Sequence, residues 1–284
     1  MTIHSHTIQL GAAAITIINA GDLMFRLSEV MNVPESEWRP RYAAEFETPL
    51  TFPSQSMHIA IPGASILVDA GDYAVAISLN TPYVPPNYSP PPGLIAQLHE
   101  KGIAPEDITH IVITHLHFDH YSGVTIERNG QYVSAFPHAR CFVGRADWED
   151  PDTQEALKDP DSLESRTIGV LHAAGLLELV EGDFDVFPNV RVLAAPGESP
   201  GHQIIRVHSE GQTLYCLGDL YHDPVEIEHP TWMAQWADVD ATLASRRRLV
   251  ESALAENALL VPAHMSPGCL EPTAEGVRWH RAEA

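Results

Sequence analysis

The chain has 284 residues, 44% hydrophobic and 19% charged, which supplies ample apolar material for a buried core. Its formal net charge of −22 repels phosphate backbones and anionic lipid surfaces, excluding nucleic-acid and membrane partners in favour of a small neutral molecule. Cys141, Cys216 and Cys269 are scattered and odd in number, and no Lys or Arg precedes Arg26 to form a signal peptide's basic region, so a reducing, cytoplasmic setting is expected.

Residues 14–19, rich in Ile and Thr, read as the first strand. Residues 21–53 form a long segment of mixed aromatics and prolines with no assigned element. Strands at 58–61 and 66–68 flank Pro62-Gly63, a hairpin ending at Asp69-Ala70-Gly71-Asp72. Residues 81–92 contain six prolines and are neither helix nor central strand; a stretch this long reads as a lid. Leu94, Ile95 and Leu98 have helical spacing, ended by Gly102. Residues 109–114 read as a buried strand, 139–143 as another, and 147–175 as partly helical. Further strands fall at 177–180, 190–194, 204–208 and 213–217, with Cys216 a buried small hydrophobe. A helix at 240–257 carries Arg246-Arg247-Arg248 as a solvated face, and a strand at 259–261 runs into Pro262-Ala263-His264. Strands early in each half with helices later predict a layered α/β sandwich of two similar halves. Without a strict repeat or a linker, residues 1–284 are expected to form a single domain.

Directly after the strand at 109–114 comes Thr114-His115-Leu116-His117-Phe118-Asp119-His120. In extended backbone, residues two apart point the same way, so His115 and His117 converge on one point. Asp119 and His120, turning into the next segment, face a second point a few ångströms away. Imidazole and carboxylate are the ligands of borderline divalent metals such as zinc. Among the other histidines, His110 reads as a core or supporting residue, and His58 and His229 as surface or structural.

The run resembles the HxHxDH signature of the metallo-β-lactamase superfamily. That family takes its remaining ligands from a Pro-Gly-His turn, an Asp after a strand, and a late His. This chain supplies Ser199-Pro200-Gly201-His202, Leu217-Gly218-Asp219 and Val261-Pro262-Ala263-His264 in that order. The resemblance covers residues 15–264 and implies a four-layer αββα sandwich holding two divalent metal ions, zinc first, with iron, cobalt or manganese compatible. It implies that His115, His117 and His202 hold one ion, that Asp119, His120 and His264 hold the other, and that Asp219 bridges them. Two such ions would share a hydroxide near neutral pH, set to attack a carbonyl or phosphoryl centre. Asp119 or Asp219 would relay a proton to the leaving group.

Lactone-opening relatives that quench acyl-homoserine-lactone signals carry a Tyr three positions after the bridging Asp. Here His222 holds that offset, with Tyr221 one before it. Together with Glu228-His229-Pro230-Thr231-Trp232 and Asp238-Val239-Asp240, this looks more like the methyl-parathion-hydrolase-like branch, which opens lactones and cleaves phosphotriesters or aryl esters. By that likeness His222 polarises the scissile carbonyl or protonates the leaving group. Met24 and Phe25 stand where lactonase relatives place apolar residues over the metals, and Trp232 and Trp236 are expected to line an acyl pocket near Tyr221 and His222. Related enzymes use the segment at 21–53 as a dimer arm, which makes a homodimer an expected partner. The expected activity is that of a metal-dependent hydrolase opening lactones of the N-acyl-homoserine-lactone type. A phosphotriesterase or arylesterase using the same centre is the alternative. A metal-binding protein without turnover is disfavoured by the complete ligand set.

Overall fold

In the computed structural model, which describes residues 4–79, 81–274 and 276–282, alternation of apolar side chains organises the chain into two facing sheets. The first half runs through β1 (Ser5–Leu10), β2 (Ala13–Phe25), β3 (Leu50–Ile61), β4 (Ala64–Val68), β5 (His110–Val112), β6 (Thr125–Arg128), β7 (Gln131–Ser134), β8 (Arg140–Gly144) and β9 (Leu177–Val180). Strands β6 and β7 form a separate hairpin; the others make one sheet in the order β1-β2-β3-β4-β5-β8-β9. The second half supplies β10 (Phe184–Phe187), β11 (Val190–Ala194), β12 (Gln203–Ser209), β13 (Gln212–Cys216), β14 (Leu259–Val261), β15 (Gly268–Thr273) and β16 (Gly276–Arg281), paired in chain order.

The two-residue period sorts side chains into layers. In β4, Ile66 and Val68 enter the space between the sheets while Leu67 faces outward. Strands β5 and β8 repeat this with Val112 against Ile111 and Phe142 against Cys141 and Val143. Val192, Ile205, Val207, Leu214 and Cys216 close the inner layer from the second sheet. Helices Leu94–Glu100 and Ile168–Ala173 cover the outer face of the first sheet through Leu94, Leu98, Ile168 and Leu171. Helix Val239–Glu256 covers the second through Leu249 and Ala253. The layering is αββα.

Residues 21–53, left without an element by sequence pattern, are ordered. Strand β2 continues past a register break between Asn19 and Gly21 to Phe25, and helices Leu27–Val30 and Glu35–Glu47 precede β3. Prolines hid them, since Pro40 lies inside the second helix, which kinks at Tyr42, and Pro53 lies in β3. Leu27, Trp38, Tyr42 and Phe46 bury themselves against Phe52, Val225 and Trp232 of the same chain, so this face of the expected dimer arm is covered internally. Residues 81–92 remain free of helix and strand but are pinned to β2. There the Met24 N–H donates to the Tyr83 carbonyl at 2.7 Å, and the Tyr88 hydroxyl donates to Asp22 Oδ2 at 2.8 Å. The Arg246–Arg248 run divides: Arg247 and Arg248 are exposed, whereas Arg246 is only 3% exposed. Among the described residues, no helix is long and apolar enough to cross a membrane.

Candidate metal centre

Parallel strands deliver their carboxyl ends to one edge. Strands β4 and β5 pair in parallel, as do β13 and β14. Asp69 follows β4, His115 to His120 follow β5, Asp219 follows β13, His264 follows β14, and the β11–β12 loop brings Glu198 and His202 to the same edge.

The ligand atoms fall into two groups. Those of His115, His117, Glu198 and Asp219 lie mutually within 4.8 Å, as do those of Asp119, His120 and His264. Asp219 reaches both. Its Oδ2 is 3.7 Å from His115 Nε2 and 3.2 Å from His264 Nε2, and its Oδ1 is 3.3 Å from His120 Nε2. Asp119 Oδ2 lies 3.5 Å from His120 Nε2 and 3.4 Å from His264 Nε2. His202 adjoins the first group. Its ring is 5.2 Å from that of His115, and its Nε2 accepts the Asp219 N–H at 3.1 Å. Glu198 also lies within this group, which sequence pattern did not anticipate. The available signal was a carboxylate four positions before His202 in the same strand-terminal turn.

Among the described residues, His120 Nε2 and Asp219 Oδ1 are buried without a hydrogen-bond partner. Each such orphan costs about 1–3 kcal/mol unless something binds it. The opposite ring nitrogens are engaged: His120 Nδ1 with Asp69 Oδ2 at 2.9 Å, His264 Nδ1 with the Pro53 carbonyl at 2.8 Å, and His202 Nδ1 with the Ala195 carbonyl at 3.0 Å. These bonds fix each Nε2 toward the centre, as outer partners do for metal-binding imidazoles. The residues therefore fit a pair of divalent cations. Burial holds His115 well below its ordinary pKa and brings His202 down to about 4, leaving both in the neutral form that a metal requires. At His120 burial opposes charge, but Asp219, Asp119 and Asp69 outweigh it and raise the pKa well above its ordinary value. At Asp219 burial is outweighed by His264, His120 and His115, which hold the carboxylate ionised. Asp69→Asn removes the charge behind His120 at nearly constant shape. It is expected to weaken zinc binding about 10–100-fold in a chelator-competition titration; unchanged affinity would show that His120 needs no orienting carboxylate.

A cavity of about 520 Å³ opens over these residues. Leu23, Phe25, Met31, Tyr83, Phe118 and Trp236 form much of its wall, with His117, Asp119, Asp219, His222 and His264 also lining it. Of the expected pocket residues, Phe25, His222 and Trp236 line this cavity. Three expected pocket residues do not. Strand alternation in β2 gives Leu23 and Phe25 to the cavity and sends Met24 to the other face. Trp232 is buried against Tyr42 and Phe46, with ring centroids 5.4 and 5.5 Å away. Tyr221 lies under the Arg246 guanidinium at 4.6 Å. His222 Nε2 stands 3.4 Å from Asp219 Oδ2 and 3.9 Å from Glu198 Oε1. Burial opposes its charge, but Glu198, Asp219 and Glu226 outweigh it and favour the protonated ring.

Two helix-covered sheets with a buried His/Asp/Glu cluster at their shared edge define a metal-binding αββα protein. Residues 51–264 match the Metallo-beta-lactamase superfamily, and the chain belongs to that superfamily. It is similar to an N-acyl homoserine lactonase of Bacillus cereus, 29% identical over 172 residues that cover 60% of this chain and 61% of the relative. It is also similar to the N-acyl homoserine lactonase AttM of Azorhizobium caulinodans, 26% identical over 56% of this chain and 60% of the relative. The chain thus matches about three fifths of the length of these curated relatives. In fold it resembles the hydrolase AbOPH, with a TM-score of 0.80 at 19% identity over 100% of this chain and 99% of that one. It likewise resembles AidC, a dizinc quorum-quenching lactonase, with a TM-score of 0.74 at 18% identity over 99% and 98%.

Proposed function

We propose that the protein is a metal-dependent hydrolase that opens lactones of the N-acyl-homoserine-lactone type, with residues 1–284 acting as one unit. The observation that carries this reading is the Asp219 carboxylate within reach of both histidine groups beside an apolar cavity. When bound, a pair of divalent ions supplies an acidic water near neutral pH and positive charge for an oxyanion. The protein's own groups do the rest. Asp219 spans the two groups, with His115 and His117 on one side and Asp119, His120 and His264 on the other. His222, protonated and directed at Asp219, donates to the substrate carbonyl and then to the leaving alkoxide. Leu23, Phe25, Met31 and Trp236 offer an acyl chain an apolar surface. The product acid is repelled by the field of a chain with net charge −22. The names borne by the lactonase relatives support the same substrate class.

A second reading, cleavage of aryl phosphotriesters or aryl esters at the same centre, is favoured by His222 in place of the Tyr of lactone-opening relatives. The test is one zinc-loaded preparation assayed on N-decanoyl-homoserine lactone and on an aryl phosphotriester. The expected result is a higher kcat/KM on the lactone, with both activities lost to a chelator. No measurable lactone opening would overturn the first reading.

A further inference from the structure

We infer that Asp147 is a positioning residue for the metal position of His115, His117 and His202, because its carboxylate joins the two turns that carry those histidines. The inference rests on the dinuclear reading above. Asp147 lies in the short helix Arg145–Trp148 directly after β8, which pairs in parallel with β5, so it reaches the same sheet edge as the histidine run. It is 3% exposed. Its Oδ2 accepts from the Ser199 hydroxyl at 2.7 Å and its Oδ1 from the Gly201 N–H at 2.5 Å, one donor on each side of Pro200 in the turn that ends in His202. The Leu116 N–H, between His115 and His117, is a third donor to the same carboxyl.

The backbone presses these turns together. A Cβ added at Gly201 would fall 2.7 Å from the Asp147 nitrogen and 2.8 Å from its Oδ1, and one at Gly144 would fall 2.1 Å from the Gly201 carbonyl oxygen. Glycine at both positions is what admits the carboxylate. The far side of the turn is fixed separately: the Asp238 N–H donates to the Gly197 carbonyl at 2.8 Å and the Ser245 hydroxyl to the Pro196 carbonyl at 2.7 Å. Held from both sides, His202 keeps Nδ1 on the Ala195 carbonyl and Nε2 beside Asp219. Burying a carboxylate is costly, and burial pushes the Asp147 pKa above its ordinary value. An apolar side chain would fill the space without that cost. Two acceptor oxygens, each taking a donor from a separate point, are what only the carboxylate offers here.

Asp147→Asn keeps the shape but offers one acceptor oxygen in place of two, so the turns lose part of their hold. The full-length protein, stripped with a chelator, is titrated with Zn²⁺ against a chromophoric competitor as wild type, D147N, S199A, H202A and the D147N/H202A double variant. Two zinc ions are expected for wild type, and H202A should lose one step, leaving the position of Asp119, His120 and His264. D147N should weaken the step that H202A removes about tenfold or more and hold the other within twofold of wild type. Added to H202A, it should leave the remaining step unchanged. S199A, which removes a single donor, should weaken the same step more than twofold and decides the matter if D147N does not fold. Both steps within twofold of wild type in D147N, or in S199A where it decides, while H202A loses one, would overturn the role of Asp147 and leave the dinuclear reading standing. Equal weakening of both steps, or of the step remaining in the double variant, would also overturn it, by making the carboxylate a general prop of the fold. Wild type binding fewer than two zinc ions, or H202A matching wild type, would overturn both.

Discussion

His117→Ala is expected to lower kcat/KM for lactone opening about 10³-fold or more, equivalent to roughly 4 kcal/mol of transition-state stabilisation. His58→Ala should leave kcat/KM near the wild-type value. Both are histidines that follow the strand pattern of one sheet, so composition does not separate them; position does. His117 Nδ1 lies 2.8 Å from His115 Nε2 and 3.5 Å from Glu198 Oε1, and it lines the cavity. His58 is buried in β3, where its Nε2 bonds to Ser65 Oγ at 2.8 Å and burial brings its pKa down to about 4. Removing His58 leaves a void and an unpaired hydroxyl, a loss of about 1–3 kcal/mol that belongs in the unfolding temperature. Steady-state kinetics and thermal unfolding on both variants check this. Equal losses of kcat/KM would contradict the assignment of the centre, whatever the stabilities.

The contrast also shows which parts of the site were legible. His115, His117, Asp119 and His120 stand at fixed offsets behind an apolar strand, and extended geometry alone makes the first two converge. Asp219 and His264 follow strand ends and could be matched to a known pattern. Glu198 and Asp69 lack any such regularity, because a single carboxylate in a turn carries no period, and only the fold brings each against its imidazole. The pocket wall failed on parity. Ending β2 at Asn19 leaves Met24 free to point anywhere; continuing it to Phe25 past the irregularity at Asn19–Gly21 gives the cavity to Leu23 and Phe25.

Elsewhere the missed strands are short or polar. Strands β6 and β7 join through Asn129-Gly130, both with positive φ (55° and 77°), as a two-residue hairpin loop requires. Their flanks, Thr125–Arg128 and Gln131–Ser134, are too polar to announce a sheet. Strands β15 and β16 are largely exposed, and Pro272 interrupts the first. The Arg246–Arg248 run misled for a related reason. Thr242, Ser245, Arg246, Leu249 and Ala253 form the buried face of the helix at regular helical spacing, but three of the five are polar.

That buried arginine sets the largest expected loss of stability: Arg246→Met should cost about 3–5 kcal/mol. Arg246 Nε donates to the Leu220 carbonyl at 3.0 Å, Nη1 to those of Pro230 and Trp232 at 3.0 and 2.6 Å, and Nη2 to Glu226 Oε1 at 2.5 Å. One side chain thus ties down the whole segment that follows Asp219. Methionine fills the volume but leaves the carbonyls and the Glu226 carboxylate buried without their partner. At Glu226 burial opposes ionisation, yet Arg246 and then His222 outweigh it and hold the pKa down to about 2 against an ordinary 4.5. A folded-state pKa below the unfolded value gives stability that is present above pH 4.5 and is lost as pH falls from there toward 2. Without Arg246 the largest influence opposing burial at Glu226 is gone, so this acid-side loss of stability should shrink in the variant. Replacing both partners by methionine removes the buried charge as well as its counterion and should recover much of the loss. Urea unfolding of the metal-free protein at several pH values measures all three forms; a loss below about 1 kcal/mol in the single variant would show the pair to be dispensable. The same substitution reaches the centre, because Glu226 accepts the His222 N–H and lies 3.5 Å from its Nδ1. A ring freed on that side should lower kcat more than it raises KM, since the proton it delivers matters most where the alkoxide leaves.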